Sequence, residues 1–308
     1  MLTRNSRYYR QVQLLIRVLP AVATEACFAL KGGTAINLFI RDLPRLSVDI
    51  DLAFLPVTSY ESSRTKIDAA LRRIGGLLSG GSPAYGVTFG ANDGAGPVDT
   101  LNVTDGNQTV KVEVNPVLRG AVNVPTLLAL RPAVQEEFGF AQITTLAFED
   151  VYAGKLMAAL DRQHPRDLFD VMILLENEGI SDSLFKTWLA YLVGHKGSMA
   201  DALAPNRKDI GALFRNQFVT MTVREIQLEQ LLDVRERLIA ELHARIGEPE
   251  RAFLLSVKRG EPRWELLGLD RVERLPAVTW QLHNLEKMAP DARRRAVARL
   301  EKVLFGSH

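Results

Sequence analysis

A single cysteine, Cys27, is all that the 308 residues contain. With no partner in the chain, it excludes an intrachain disulfide and a cysteine-based zinc site and suits a reducing compartment. An excess of charge is also lacking. Lys and Arg number 38 against 36 Asp and Glu, so net charge announces no nucleic-acid partner, and any basic surface must come from local clustering. No apolar run approaches the roughly 18 residues expected of a membrane span, and the polar, basic stretch Met1 to Arg10 has no apolar signal-peptide segment behind it. Internal repeats and low-complexity segments are missing too. What the chain does have is 47% apolar residues, enough for a sizeable core in one large or two ordinary domains. The expectation is a cytoplasmic globular protein.

Periodicity divides the chain in two. Val12, Leu15, Ile16 and Leu19 suggest a leading helix over 7–19 that ends before Pro20, and a second helix begins near Gly33 and ends by Pro44. Residues 47–54 alternate as a strand and 60–78 read as a helix. Short β-like runs follow at 85–89, 98–104 and 109–115, the last two joined by Asp105-Gly106-Asn107, a hairpin signal. Residues 116–145 are broken by Pro116, Pro125 and Pro132, with one further strand at 142–145. From Phe148 the pattern is helical: 149–160, then a helix opened by Pro165 and closed near Gly179, and a regular stretch over 222–246. The boundary falls near residue 178, with a mixed α/β half before it and a helical half after it.

Four clusters carry possible chemistry. Gly32, Gly33, Thr34, Ser47, Asp49 and Asp51 form the first. A glycine pair at a helix start lets backbone N–H groups approach a phosphate, and two aspartates two apart on a strand share one face and can hold Mg²⁺. A helix cap followed by a solvated strand face is the plainer reading. The second is Lys111-Val-Glu113-Val: if this strand pairs beside the Asp49 strand, Glu113 becomes a third carboxylate, as metal ligand or base, or else the face is merely exposed. The third spans Glu149 to Asp170, where Lys155 can reach a triphosphate while Asp167 or Asp170 holds it, against ordinary helix-surface pairing. His164 reads as a cap or loop residue. The fourth is the basic run from Arg293 to Lys302, either a phosphate-backbone grip or a solvated helix face.

Together these residues resemble the AbiEii/AbiGii family of nucleotidyltransferase toxins, relatives of the polymerase-β-like nucleotidyltransferases. The resemblance lies in Gly32-Gly33-Thr34-Ala35, Arg45-Leu-Ser47-Val-Asp49-Ile-Asp51-Leu, Lys111-Val-Glu113-Val, Glu149 to Lys155 and Arg166-Asp167-Leu-Phe-Asp170, with further likeness at Phe253 to Trp264 and Leu275 to Leu285. It implies a bilobed α+β protein: a nucleotidyltransferase domain with a mixed sheet over 1–178 and an all-helical domain over 179–308, with the active site in the groove between lobes. It implies functional roles for Ser47, Asp49, Asp51, Lys155 and one of Asp167 and Asp170, with Glu113 standing where related enzymes place a third acid. The implied activity is Mg²⁺-dependent transfer of nucleotides from an NTP to the 3′ end of tRNA, by a monomeric phage-defence toxin controlled by a cognate antitoxin. In that mechanism Asp49, Asp51 and Glu113 hold metal, Gly32, Gly33, Thr34 and Ser47 hold phosphates, and Lys155 neutralises the triphosphate. Rival readings are transfer to a protein or small-molecule hydroxyl, a non-catalytic nucleotide-binding partner protein, and a sugar transferase.

Overall fold

The computed structural model describes residues 7–91 and 96–306. In chain order the first part of the molecule runs α1 (Arg7–Ala23), β1 (Phe28–Lys31), α2 (Gly32–Thr34) continued by a π-helical turn (Ala35–Ile40), β2 (Asp49–Phe54), α3 (Tyr60–Ser79), β3 (Gly86–Gly90), β4 (Thr100–Thr104), β5 (Thr109–Arg119), β6 (Thr126–Ala129), α4 (Pro132–Phe138) and β7 (Gln142–Thr145). Alternation decides how the strands lie. Ile50 and Leu52 of β2 and Val110, Val112 and Val114 of β5 are fully buried, so Asp49, Asp51, Lys111 and Glu113 fall on the opposite face. Each such burial stabilises the sheet by about 1.5–3 kcal/mol. The sheet is mixed and seven-stranded, in the order β3-β4-β5-β2-β1-β7-β6. β2 runs parallel to β5 and antiparallel to β1. α1 packs on β5 and β7, and α3 on β3, β4 and β5.

The Asp105-Gly106-Asn107 signal does make a hairpin between β4 and β5. Gly106 takes φ +92°, and Asp105 Oδ1 accepts from the backbone N–H groups of Asn107 and Gln108 at 2.9 and 2.8 Å.

The remainder is helical: α5 (Phe148–Asp161), α6 (Pro165–Asn177), α7 (Asp182–Val193), α8 (Met199–Leu203), α9 (Gly211–Gln217), α10 (Leu228–Arg245), α11 (Glu248–Arg259), α12 (Pro276–Glu286) and α13 (Pro290–Phe305). α10 packs on α6, and α13 on α8 and α11. Two compact units result, one of Met1–Val151 with Gln217–Glu225 and one of Tyr152–Asn216 with Ile226–His308. Residue 178 lies inside the second unit, directly after α6.

Three local expectations are corrected. α1 does not stop before Pro20 but continues to Ala23: the proline is exposed in the last turn and Val22 beyond it is fully buried, which holds that turn in place. The helix after Gly33 begins at Gly32 and ends at Ile40, short of Pro44, with a wide turn in which Arg41 N–H donates to Ile36 O at 2.8 Å. The stretch 222–246 is not one helix. Its first residues are irregular and Thr222 bridges to Arg45, so the helical stripe starts only at Leu228.

Candidate active site

The site is built on the turn from β1 into α2. Gly32 has φ +71°, and a Cβ there would lie 2.8 Å from Asp51 Oδ2. A Cβ on Gly33 would lie 2.7 Å from Arg45 Nη2 and 3.0 Å from Ser47 Oγ. Both glycines are therefore required for close approach, and what approaches them is the polar residues of the next strand. Thr34 is fully buried; its hydroxyl lies 2.9 Å from Ser47 Oγ and donates to the Asp49 carbonyl. Asn37 Nδ2 donates to Gly33 O at 2.9 Å. The turn, Ser47 and the Asp49 backbone thus form one hydrogen-bonded assembly, with the Asp51 carboxylate set close against Gly32.

Beneath it sits Arg45, 2% exposed, whose guanidinium donates to Leu46 O at 2.8 Å. A returning segment from far down the chain fixes this stretch: Leu46 N–H donates to Met221 O at 2.8 Å and Val223 N–H to Pro44 O at 3.0 Å.

In the parallel pairing of β2 and β5, Asp49 stands beside Lys111 and Asp51 beside Glu113. Registered neighbours on adjacent strands are about 4.8 Å apart, and residues two apart on one strand about 6.6 Å. The four side chains therefore share one patch of the sheet face. Glu113 is in ion-pair contact with the Lys111 ammonium. That contact raises the Lys111 pKa above its ordinary value against the opposing effect of burial, and Asp49 and Asp51 add to the rise. On the other side of β2, the register places Lys31 beside Asp51. Among the described residues no three His, Cys, Asp or Glu side chains are drawn together as a ready-made metal cluster. The donor set nonetheless suits a hard divalent cation, since it consists of carboxylate oxygens and already attracts a cation of the protein's own. The sequence pattern assigns Lys111 no role of its own, although the period of two aligns it with Glu113, and Lys31 comes beside Asp51 only through the pairing of β1 with β2.

In the second unit, Lys155 of α5 reaches both aspartates of α6: Nζ lies 2.7 Å from Asp167 Oδ1 and 3.0 Å from Asp170 Oδ2. All three are buried, at 5%, 1% and 0% exposure. The choice between Asp167 and Asp170 is thus not exclusive as geometry, because both hold the lysine. Arg162 adds a second cation to Asp167 through Nε and, at 2.9 Å, Nη2. Burial by itself pushes the Asp167 carboxyl up, but Lys155 and Arg162 outweigh it and hold the group well below the usual carboxylate range. An ammonium has three donors, so two carboxylates leave Lys155 one more to offer. His164 caps α6, its Nδ1 accepting from Arg166 N–H at 3.1 Å.

The basic run on α13 is largely committed within the protein. Arg293 donates to Leu285 O, and Arg294 and Arg299 pair with Asp291 and Asp201. Such contacts favour a helix face serving the fold over a free phosphate grip.

Comparison with known proteins places these features in context. The family profile described as "Nucleotidyl transferase AbiEii toxin, Type IV TA system" matches residues 13–282. Among solved structures, MenT4, a nucleotidyltransferase toxin from Mycobacterium tuberculosis H37Rv, is similar over 91% of this chain and 93% of its own, with 15% sequence identity and a TM-score of 0.60. At that identity the likeness establishes the fold. No curated protein sequence matches the chain.

Proposed function

Since the chain belongs to the AbiEii family of nucleotidyltransferase toxins of type IV toxin–antitoxin systems, we propose that it transfers a nucleotidyl group from an NTP to the 3′ end of tRNA, blocking aminoacylation. The observation that carries this reading is the register of β2 against β5, which sets Asp49, Asp51 and Glu113 on one face behind the Gly32–Gly33 turn. In this reading Asp49, Asp51 and Glu113 hold Mg²⁺, and backbone N–H groups of Gly32, Gly33 and Thr34 with the Ser47 hydroxyl bind phosphate oxygens. Bound there, the metal supplies charge neutralisation for the triphosphate. Glu113 accepts the proton of the attacking ribose hydroxyl. Lys155, held by Asp167 and Asp170, is assigned the neutralising charge for the triphosphate that the family resemblance implies. By function the nucleotidyltransferase domain is then residues 1–178, which takes in α5 and α6, and 179–308 is the helical domain.

The toxin acts in the cytoplasm as a monomer, in phage defence, under a cognate antitoxin. No helix among the described residues is long and apolar enough to cross a membrane. Incubating the purified protein with α-labelled NTPs, Mg²⁺, total tRNA and total protein tests the reading. Label is expected at tRNA 3′ ends and is expected to vanish in a folded Asp49→Ala variant. Label on protein alone, or undiminished label with Asp49→Ala, overturns it.

A further inference from the structure

We propose that Lys111 is a built-in counter-ion of the carboxylate patch, competing with the divalent cation for Asp49, Asp51 and Glu113 and so setting the affinity of the site for metal. The inference rests on the metal-binding reading above and adds a residue that sets its strength. Three carboxylates on neighbouring positions of two hydrogen-bonded strands repel one another and weaken the pairing unless a cation offsets them. Lys111 is placed to be that cation: it is the register partner of Asp49, it shares a strand face with Glu113, and its ammonium contacts the Glu113 carboxylate. Its side chain is 41% exposed and that of Glu113 35%, so the ion pair is open to exchange with ions from solution. A divalent cation that enters must take Glu113 from the ammonium. The lysine thereby weakens metal binding while the site stands empty of nucleotide, and its charge stays beside the patch after the exchange.

A structural role alone would alter stability and leave metal affinity untouched, so the decisive measurement is binding of Mn²⁺ alone, read from the electron paramagnetic resonance signal of the free ion. Lys111→Met and Lys111→Gln remove the charge at an exposed position. Because a repelling cation within a few ångströms is lost, each is expected to lower the Mn²⁺ Kd about tenfold, whereas Lys111→Arg stays within about twofold of wild type. An unchanged or higher Kd in both neutral variants overturns the proposal. Asp49→Asn separates the two layers of the argument: if it binds Mn²⁺ as tightly as wild type, the metal-site reading itself fails. If wild type and both neutral variants all fail to bind, both readings fall together.

Discussion

At the residue scale, the buried trio of Lys155, Asp167 and Asp170 changes what a substitution means. Lys155→Ala would remove more than a contact to a triphosphate. With two carboxylates buried against the ammonium, that substitution takes a cation away from both Asp167 and Asp170 in the interior, and breaking a buried pair costs about 3–5 kcal/mol. Asp167 gives the cleaner test. Its carboxyl is held well below its unfolded value of about 3.9, so the stability it contributes is complete above about pH 4 and drains away as pH falls further through the folded value. Asp167→Asn removes this contribution. Urea denaturation is expected to find the variant about 3 kcal/mol less stable at pH 7, with the gap to wild type closing below about pH 4. A gap that is constant across that range means that ionised Asp167 is not a stabilising partner.

At the scale of elements, the strand that bears Asp49 and Asp51 depends on a segment more than a hundred and sixty residues away in sequence. Residues 217–225 return to the first unit, and Met221 and Val223 exchange backbone hydrogen bonds with Leu46 and Pro44 immediately before Ser47. Met221 is 2% exposed, so its side chain anchors this strap in the core. Met221→Ala is expected to lower stability by about 2–5 kcal/mol through the lost burial and the cavity left behind. It is also expected to reduce nucleotide incorporation at temperatures where the protein remains folded, because the strap steadies Arg45 and Ser47 under the glycine turn. Circular dichroism melts and the labelled-NTP assay on the same preparation check both parts. Full incorporation by a destabilised variant would leave the strap a purely structural role.

On the scale of the whole molecule, two compact units with separate cores need not unfold together, and unfolding need not be two-state. Scanning calorimetry is expected to resolve two transitions. Met221→Ala should lower the one belonging to the first unit, and Asp167→Asn the one belonging to the second. A single transition shifted equally by both substitutions would mean that the units unfold as one. The net charge is only +2, and in α13 Arg294 and Arg299 pair with Asp291 and Asp201.

The sequence by itself determined the repeating faces and the residues that carry chemistry. Side chains two apart on a strand share a face whatever surrounds them, so Asp49 with Asp51, Lys111 with Glu113, and the Asp105-Gly106-Asn107 hairpin were legible from local geometry. Pro165 and His164 marked the start of α6 for the same local reason. Tertiary structure alone decided the partners. Parallel pairing of β2 with β5, the wide turn over 35–40, the return of 217–225 and the joint hold of Asp167 and Asp170 on Lys155 all depend on contacts between segments distant in the chain. Periodicity fixes which way a side chain faces; only packing of the whole chain fixes what it meets there.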